Sequence, residues 1–86
     1  MKRSIEPDTP LYSEFQQFSL QLRKHIVSLR HQKGFTQEDM QALGLSLRQY
    51  QRIESGETEN ITLANLYRIA RAFDLSVSEL LALQLP

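Results

Sequence analysis

The sequence predicts an all-α protein, a compact bundle of five helices, and three observations carry that reading. Strand signals are absent, because nowhere do apolar and polar residues alternate through a β-branched run. Pro7, Pro10 and Pro86 all lie at the ends, so nothing from 11 to 85 forbids helix. Gly34, Gly44 and Gly56 each stand where a helical pattern stops, the place where a left-handed residue commonly ends a helix.

The first helix is expected over about 10–33, with Thr9 as cap before Pro10 at the first helical position. Leu11, Phe15, Phe18, Leu22, Ile26 and Leu29 fall at steps of three and four, and either one unbroken helix of 24 residues or two pieces with a break near Ser19 fit that pattern. The second spans about 36–42, opened by Thr36-x-x-Asp39, with Met40 and Leu43 inward. Ser46-x-x-Gln49 opens the third, 47–54, and Thr62 precedes the fourth, 63–73, with Leu66, Ile69, Ala70 and Phe73 on one side. Ser76-x-x-Glu79 starts the fifth near Val77, carrying Leu80, Leu81, Leu83 and Leu85.

Eighty-six residues make one small domain, and a chain of this size buries only about 60–65% of the surface that its unfolded form exposes. Residues 1–9 are expected to be a flexible amino-terminal tail and 10–86 the domain. With no cysteine there is neither a disulfide nor a thiolate zinc site. No apolar run approaches the ~20 residues needed to span a bilayer, and "MKRSIEPDTP" lacks a secretory signal's apolar stretch. A soluble cytoplasmic protein with no membrane partner is expected.

The zero net charge hides a gradient. In the middle, Arg23, Lys24, Arg30, Lys33, Arg48 and Arg52 face only Glu38, Asp39 and Glu54, which leaves +3 over residues 23–56. The segments on either side are net negative. The positive potential thus surrounds the third helix.

That helix is joined to the second by "LGLS", a short link with glycine inside it, which is a helix-turn-helix pattern. In such a motif the second helix lies in the DNA major groove. Leu47, Tyr50 and Ile53 can anchor the helix, while Arg48, Gln49 and Arg52 project outward. Arginine grips guanine O6 and N7 with two donors, and glutamine does the same for adenine, each pairing worth roughly 1–3 kcal/mol of discrimination. The bland alternative is that Arg and Gln are simply good helix formers on a wet surface.

Residues 22–81 resemble the phage-repressor and Cro type of helix-turn-helix, the lambda-repressor-like, xenobiotic-response-element family of bacterial regulators. The matching stretches are "LRKHIVSLRHQKGFTQEDM", "LGLSLRQYQRIESG" and "ITLANLYRIARAFDLSVSELL". The resemblance implies a cytoplasmic regulator, bacterial or phage-encoded, that binds double-stranded DNA as a homodimer, most simply as a repressor. By position it implies that Leu47, Arg48, Gln49 and Arg52 read bases and that Gln37 touches DNA. It also implies a structural ion pair between Arg30 and Glu54. Lys33, Ser46, Gln51, Thr58 and Asn60 join Gln37 as candidate phosphate contacts.

Three features depart from the family pattern. "TQEDMQALGLS" is one residue shorter than usual between the Thr-Gln and the cap serine, so helix two must end early or its turn tighten. The loop "ETENI" is acidic where members usually run along phosphates, and Glu57 and Glu59 would repel them. Residues 1–21, with Tyr12, Phe15 and Phe18, fall outside the match and would cover the core or meet a partner.

Leucine-rich "ELLALQLP" makes Leu81, Leu83 and Leu85 dimer candidates, with cover by helix one as the alternative. His25 and His31, six apart, point about 120° from each other and cannot chelate one metal. No phosphate-cradling glycine loop or ligand cluster is present, so neither catalysis nor a cofactor is expected. The rival function is an antitoxin-like or adaptor module that binds another protein.

Overall fold

The computed structural model describes residues 5–83. Residues 1–4 of the expected tail, and the dimer candidate Leu85, lie outside the described residues. Five helices follow in order: α1 (Pro10–Gln32), a 3₁₀ helix η1 (Glu38–Leu43), α2 (Leu47–Ser55), α3 (Leu63–Ala72) and α4 (Val77–Leu80). No strand occurs among the described residues.

Local chemistry sets the boundaries. Thr9 Oγ1 accepts from the Tyr12 N–H, and Pro10 occupies the first turn, so α1 starts where an unused N–H costs nothing. Helix α1 then runs unbroken through Ser19 to Gln32, with Lys33 as its cap. The alternative of a break near Ser19 is not realised. Leu11, expected inward, is 56% exposed, and only Leu22 and Ile26 of α1 are fully buried. In the amino half of α1, Phe15 and Phe18 are half-buried, with Phe18 packed against the core.

The stretch before Ser46, where the sequence predicts an early helix end or a tighter turn, winds as η1. Thr36 and Asp39 bond reciprocally, backbone to side chain, and the chain then winds with threefold geometry. Six residues at a rise of about 2.0 Å reach about 12 Å, whereas seven in α geometry would reach about 10.5 Å. Tighter winding thus lets six residues cover the reach that seven would give in α geometry. Gly44, at φ +90°, then reverses the chain and delivers Leu45 into the core. Leu43, expected inward beside Met40, is displaced to the surface at 46% exposure.

The core is Leu22, Ile26, Met40, Leu45, Tyr50, Ile53, Ile69, Ala70, Phe73 and Leu80. Phe35 and Phe73 stack with ring centroids 6.5 Å apart and fasten the turn after α1 to the end of α3. No glycine ends α3. Asp74 takes φ +61°, and Leu75 N–H bonds Ala70 C=O. Asp tolerates this conformation better than most side chains.

Helix α4 has a full capping box between Ser76 and Glu79 but stops after four residues, so the leucine tail is not one helical face. Leu81 and Leu83 are half-buried and pack against the chain's own core, with Leu83 beside Gln21, Lys24 and His25 of α1.

Candidate nucleic-acid interface

The residues of α2 divide by side. Ser46 Oγ accepts from the Gln49 N–H at 3.1 Å, and Gly56 closes the helix at φ +85°. Tyr50 and Ile53 are buried and Leu47 is half-buried, which docks the helix. Arg48, Gln49 and Gln51 are exposed on the other side, and Arg52 keeps 41% of its side chain in solvent. Arg48 and Gln49 make no side-chain hydrogen bond or ion pair among the described residues. Arg48, Gln51, Arg52, Ser55 and Glu57 line a shallow open groove.

Arg52 Nε pairs with Glu57 Oε2 at 2.9 Å. Both side chains are well solvated, and exposed pairs contribute only about 0.2–1 kcal/mol. A bidentate guanine contact, at roughly 1–3 kcal/mol, outweighs that. Arg52 can therefore leave Glu57 for a base edge.

Beneath this surface, a polar network fixes α2 against α1. Arg30 Nε and Nη2 meet the two Glu54 oxygens at 2.7 and 3.2 Å, and Arg30 Nη1 donates to Phe35 O at 2.9 Å. The pair is largely withdrawn from water, with 12% and 9% of the two side chains exposed. Gln37 Nε2 donates to Glu54 Oε1 at 2.9 Å, and Gln51 Nε2 donates to Gln37 Oε1 at 3.2 Å. Gln37 and Gln51 are thus tied to each other, which holds η1 to α2, and only their remaining polar capacity is left for a phosphate.

Burial alone would lift the Glu54 carboxyl, but the bonds from Arg30 and Gln37 outweigh it and hold the group below the usual carboxylate range. The same bond raises Arg30. Tyr50, fully buried, has its hydroxyl pushed well upward by desolvation and by the neighbouring Glu54 charge. That hydroxyl lacks a well-formed hydrogen bond, so Tyr50 anchors through its ring and does not reach toward a phosphate.

Of the remaining candidates, Ser46 caps α2, Thr58 and Asn60 follow it in the loop, and Lys33 caps α1. Ser46 and Lys33 are exposed, Thr58 is half-buried with its N–H on Arg52 O, and Asn60 is exposed. Three contacts escaped sequence reasoning. Glu57 holds Arg52, Arg23 packs over Gly56, and Tyr12 Oη donates to Glu59 Oε2 at 3.0 Å across 47 positions of sequence. Only the first had a local signal, an acid five residues after the arginine.

The Tyr12 contact changes the reading of the acidic loop. Glu57 is paired with Arg52, whose positive charge offsets part of its repulsion toward phosphate, while the neutral Tyr12 hydroxyl fixes where the Glu59 carboxylate points and leaves its charge intact. The bond raises the Tyr12 hydroxyl. Tyr12→Phe should leave the far-ultraviolet circular dichroism unchanged and weaken DNA binding by about twofold at most at low salt, because it frees the Glu59 carboxylate to move without changing any formal charge. Equal affinity of the two proteins would show that Glu59 lies too far from DNA to matter.

Among the described residues, no group of three His, Asp or Glu side chains could hold a metal ion, and no helix is long and apolar enough to cross a membrane. No curated protein and no solved structure matches the chain. Residues 26–80 match the helix-turn-helix family model, a stretch that opens inside α1 at Ile26 and closes with Leu80 of α4. Since that match takes in most of the chain and both helices of the motif with their turn, the protein belongs to the helix-turn-helix family of DNA-binding regulatory domains.

Proposed function

We propose that the protein is a sequence-specific regulator, most simply a repressor, that reads an inverted repeat as a homodimer in the cytoplasm of a bacterium or phage-infected cell. The observation that carries this reading is the solvated pair Arg48 and Gln49 on a helix whose opposite side is locked by Tyr50 and Ile53. Arg48, Gln49 and Arg52, with Leu47 at the helix start, contact base edges. Lys33, Gln37, Ser46, Gln51, Thr58 and Asn60 contact the flanking phosphates. The two-fold contact falls on Leu81, Leu83 and Leu85, the first two of which retain solvent-facing surface. Half-site centres then lie about 34 Å, or 10 bp, apart.

Selection of bound sequences from random duplex DNA at two salt concentrations tests this. The expected product is a palindrome whose affinity falls steeply with salt through counterion release. Recovery of no consensus, or an affinity insensitive to salt, would overturn the proposal.

A second reading, a module that binds another polypeptide, is favoured by one surface. Leu63 and Tyr67 of α3 stand exposed beside an open groove shared with Leu75 and Val77. Such contacts bury apolar area and show little salt dependence, so the same titration separates the two readings.

A further inference from the structure

The carboxyl half of α1 carries donors that the base-reading surface does not use. From 19 to 33 the chain contains Arg23, Lys24, Arg30 and Lys33 and no acid. Arg30 is bound to Glu54. Arg23 and Lys24 have no ion pair among the described residues. Nε of Arg23 is buried with no hydrogen-bond partner. Burial without a partner costs free energy, so the guanidinium is held in place by packing while its hydrogen-bonding capacity stays unmet.

Its position ties it to the reading helix. The Arg23 guanidinium lies directly over Gly56, so close that a Cβ there would collide with it. Arg23, Lys24, Ser28, His31 and Gln32 then line an open groove of about 490 Å³ that also touches Glu54 of α2. This groove starts at the carboxyl end of α2 and follows α1 for about 12 Å, the rise from 23 to 31. Glu54 is the only acid in its lining, and Arg30 and Gln37 already occupy its oxygens. Every other polar side chain in the lining can donate a hydrogen bond. A donor-lined channel with no free carboxylate, next to the helix that meets base edges, suits a chain of anions.

We infer that Arg23 and Lys24, supported by Ser28 and Gln32, bind the DNA phosphodiester backbone that flanks the bases met by α2. The inference rests on α2 being the reading helix and lengthens the footprint along α1, beyond the amino end of the family match. Leu20 and Val27 also line the groove, the apolar kind of surface along which the aliphatic stems of lysine and arginine commonly lie. An acidic amphipathic polypeptide is the competing occupant.

The test uses the full chain and the duplex that wild type selects, titrated between about 50 and 200 mM salt. Lys24→Ala and Arg23→Gln should each weaken binding about three- to tenfold. Each should also reduce the slope of log affinity against log salt by about 0.9, the value for one lost phosphate contact, with base preference unchanged. Arg71→Ala, an exposed cation on the α3 groove, should alter neither quantity. Lys24 is exposed, so its variant decides alone if Arg23→Gln misfolds. Wild-type slopes in both variants, or a change in base preference, would overturn the inference while leaving α2 as the reading helix. So would unchanged DNA binding combined with Lys24-dependent binding of a synthetic Glu/Leu amphipathic helix. If wild type binds no duplex, both this inference and the regulator reading fall.

Discussion

Glu54→Ala should come close to unfolding the domain, with a loss of about 3–5 kcal/mol, the usual result of removing one partner from a buried ion pair. The variant leaves the Arg30 guanidinium largely withdrawn from water with no carboxylate, and it orphans one Gln37 donor. Domains of this kind hold only about 5–15 kcal/mol in total, and at roughly 4–8 °C per kcal/mol the melting temperature should drop by about 12–40 °C. Thermal unfolding followed by circular dichroism measures this, and a drop of only a few degrees would show that the pair is ornamental.

Acid provides a second readout of the same group. The folded carboxyl titrates below its unfolded range, so its stabilisation is complete above that range and disappears as pH falls through the folded value. Wild type should therefore lose stability progressively below about pH 4.5. Glu54→Gln should start lower and lose less over the same interval.

Arg48→Ala should have the largest effect on recognition, about 5- to 150-fold in affinity for the selected duplex, the span that corresponds to 1–3 kcal/mol. Arg48 is solvated and unpaired, so it gives up no protein contact when it meets a base. Arg52→Ala should lose less, because wild type must first separate Arg52 from Glu57. Glu57→Gln should raise affinity a few-fold in the wild-type background and less when Arg52 is already alanine. Helicity should not change, since Tyr50 and Ile53 dock α2 from the other side. Competition binding against a scrambled duplex measures all three. Unchanged affinity in both arginine variants would remove α2 from the recognition surface.

Much of this architecture could be read from punctuation. Threonine and serine caps with glycines at φ above +70° act within a few residues, so α1, α2 and α3 begin and end close to where the sequence placed them. The sidedness of α2 was equally local. Features set by geometry at a distance were not legible. Leu43, expected inward, is exposed and Leu45 takes a core position because of the direction in which Gly44 turns the chain, and Leu11, expected inward, is exposed near the start of α1. The Tyr12–Glu59 bond joins the unmatched amino end to the loop after α2, and no spacing rule could bring residues so far apart together. The end of α3 at Asp74 lacked the glycine that marked the other stops.

Threefold winding leaves η1 with the poorest backbone geometry of the helices around the turn. The joint before α2 therefore depends on side-chain bonds more than on its own ladder: Thr36 with Asp39 at its start, and Gln37 with Gln51 across to α2. On the proposed reading, the angle at which α2 meets a groove is set by that small set of polar contacts at one end and by the Arg30–Glu54 pair at the other.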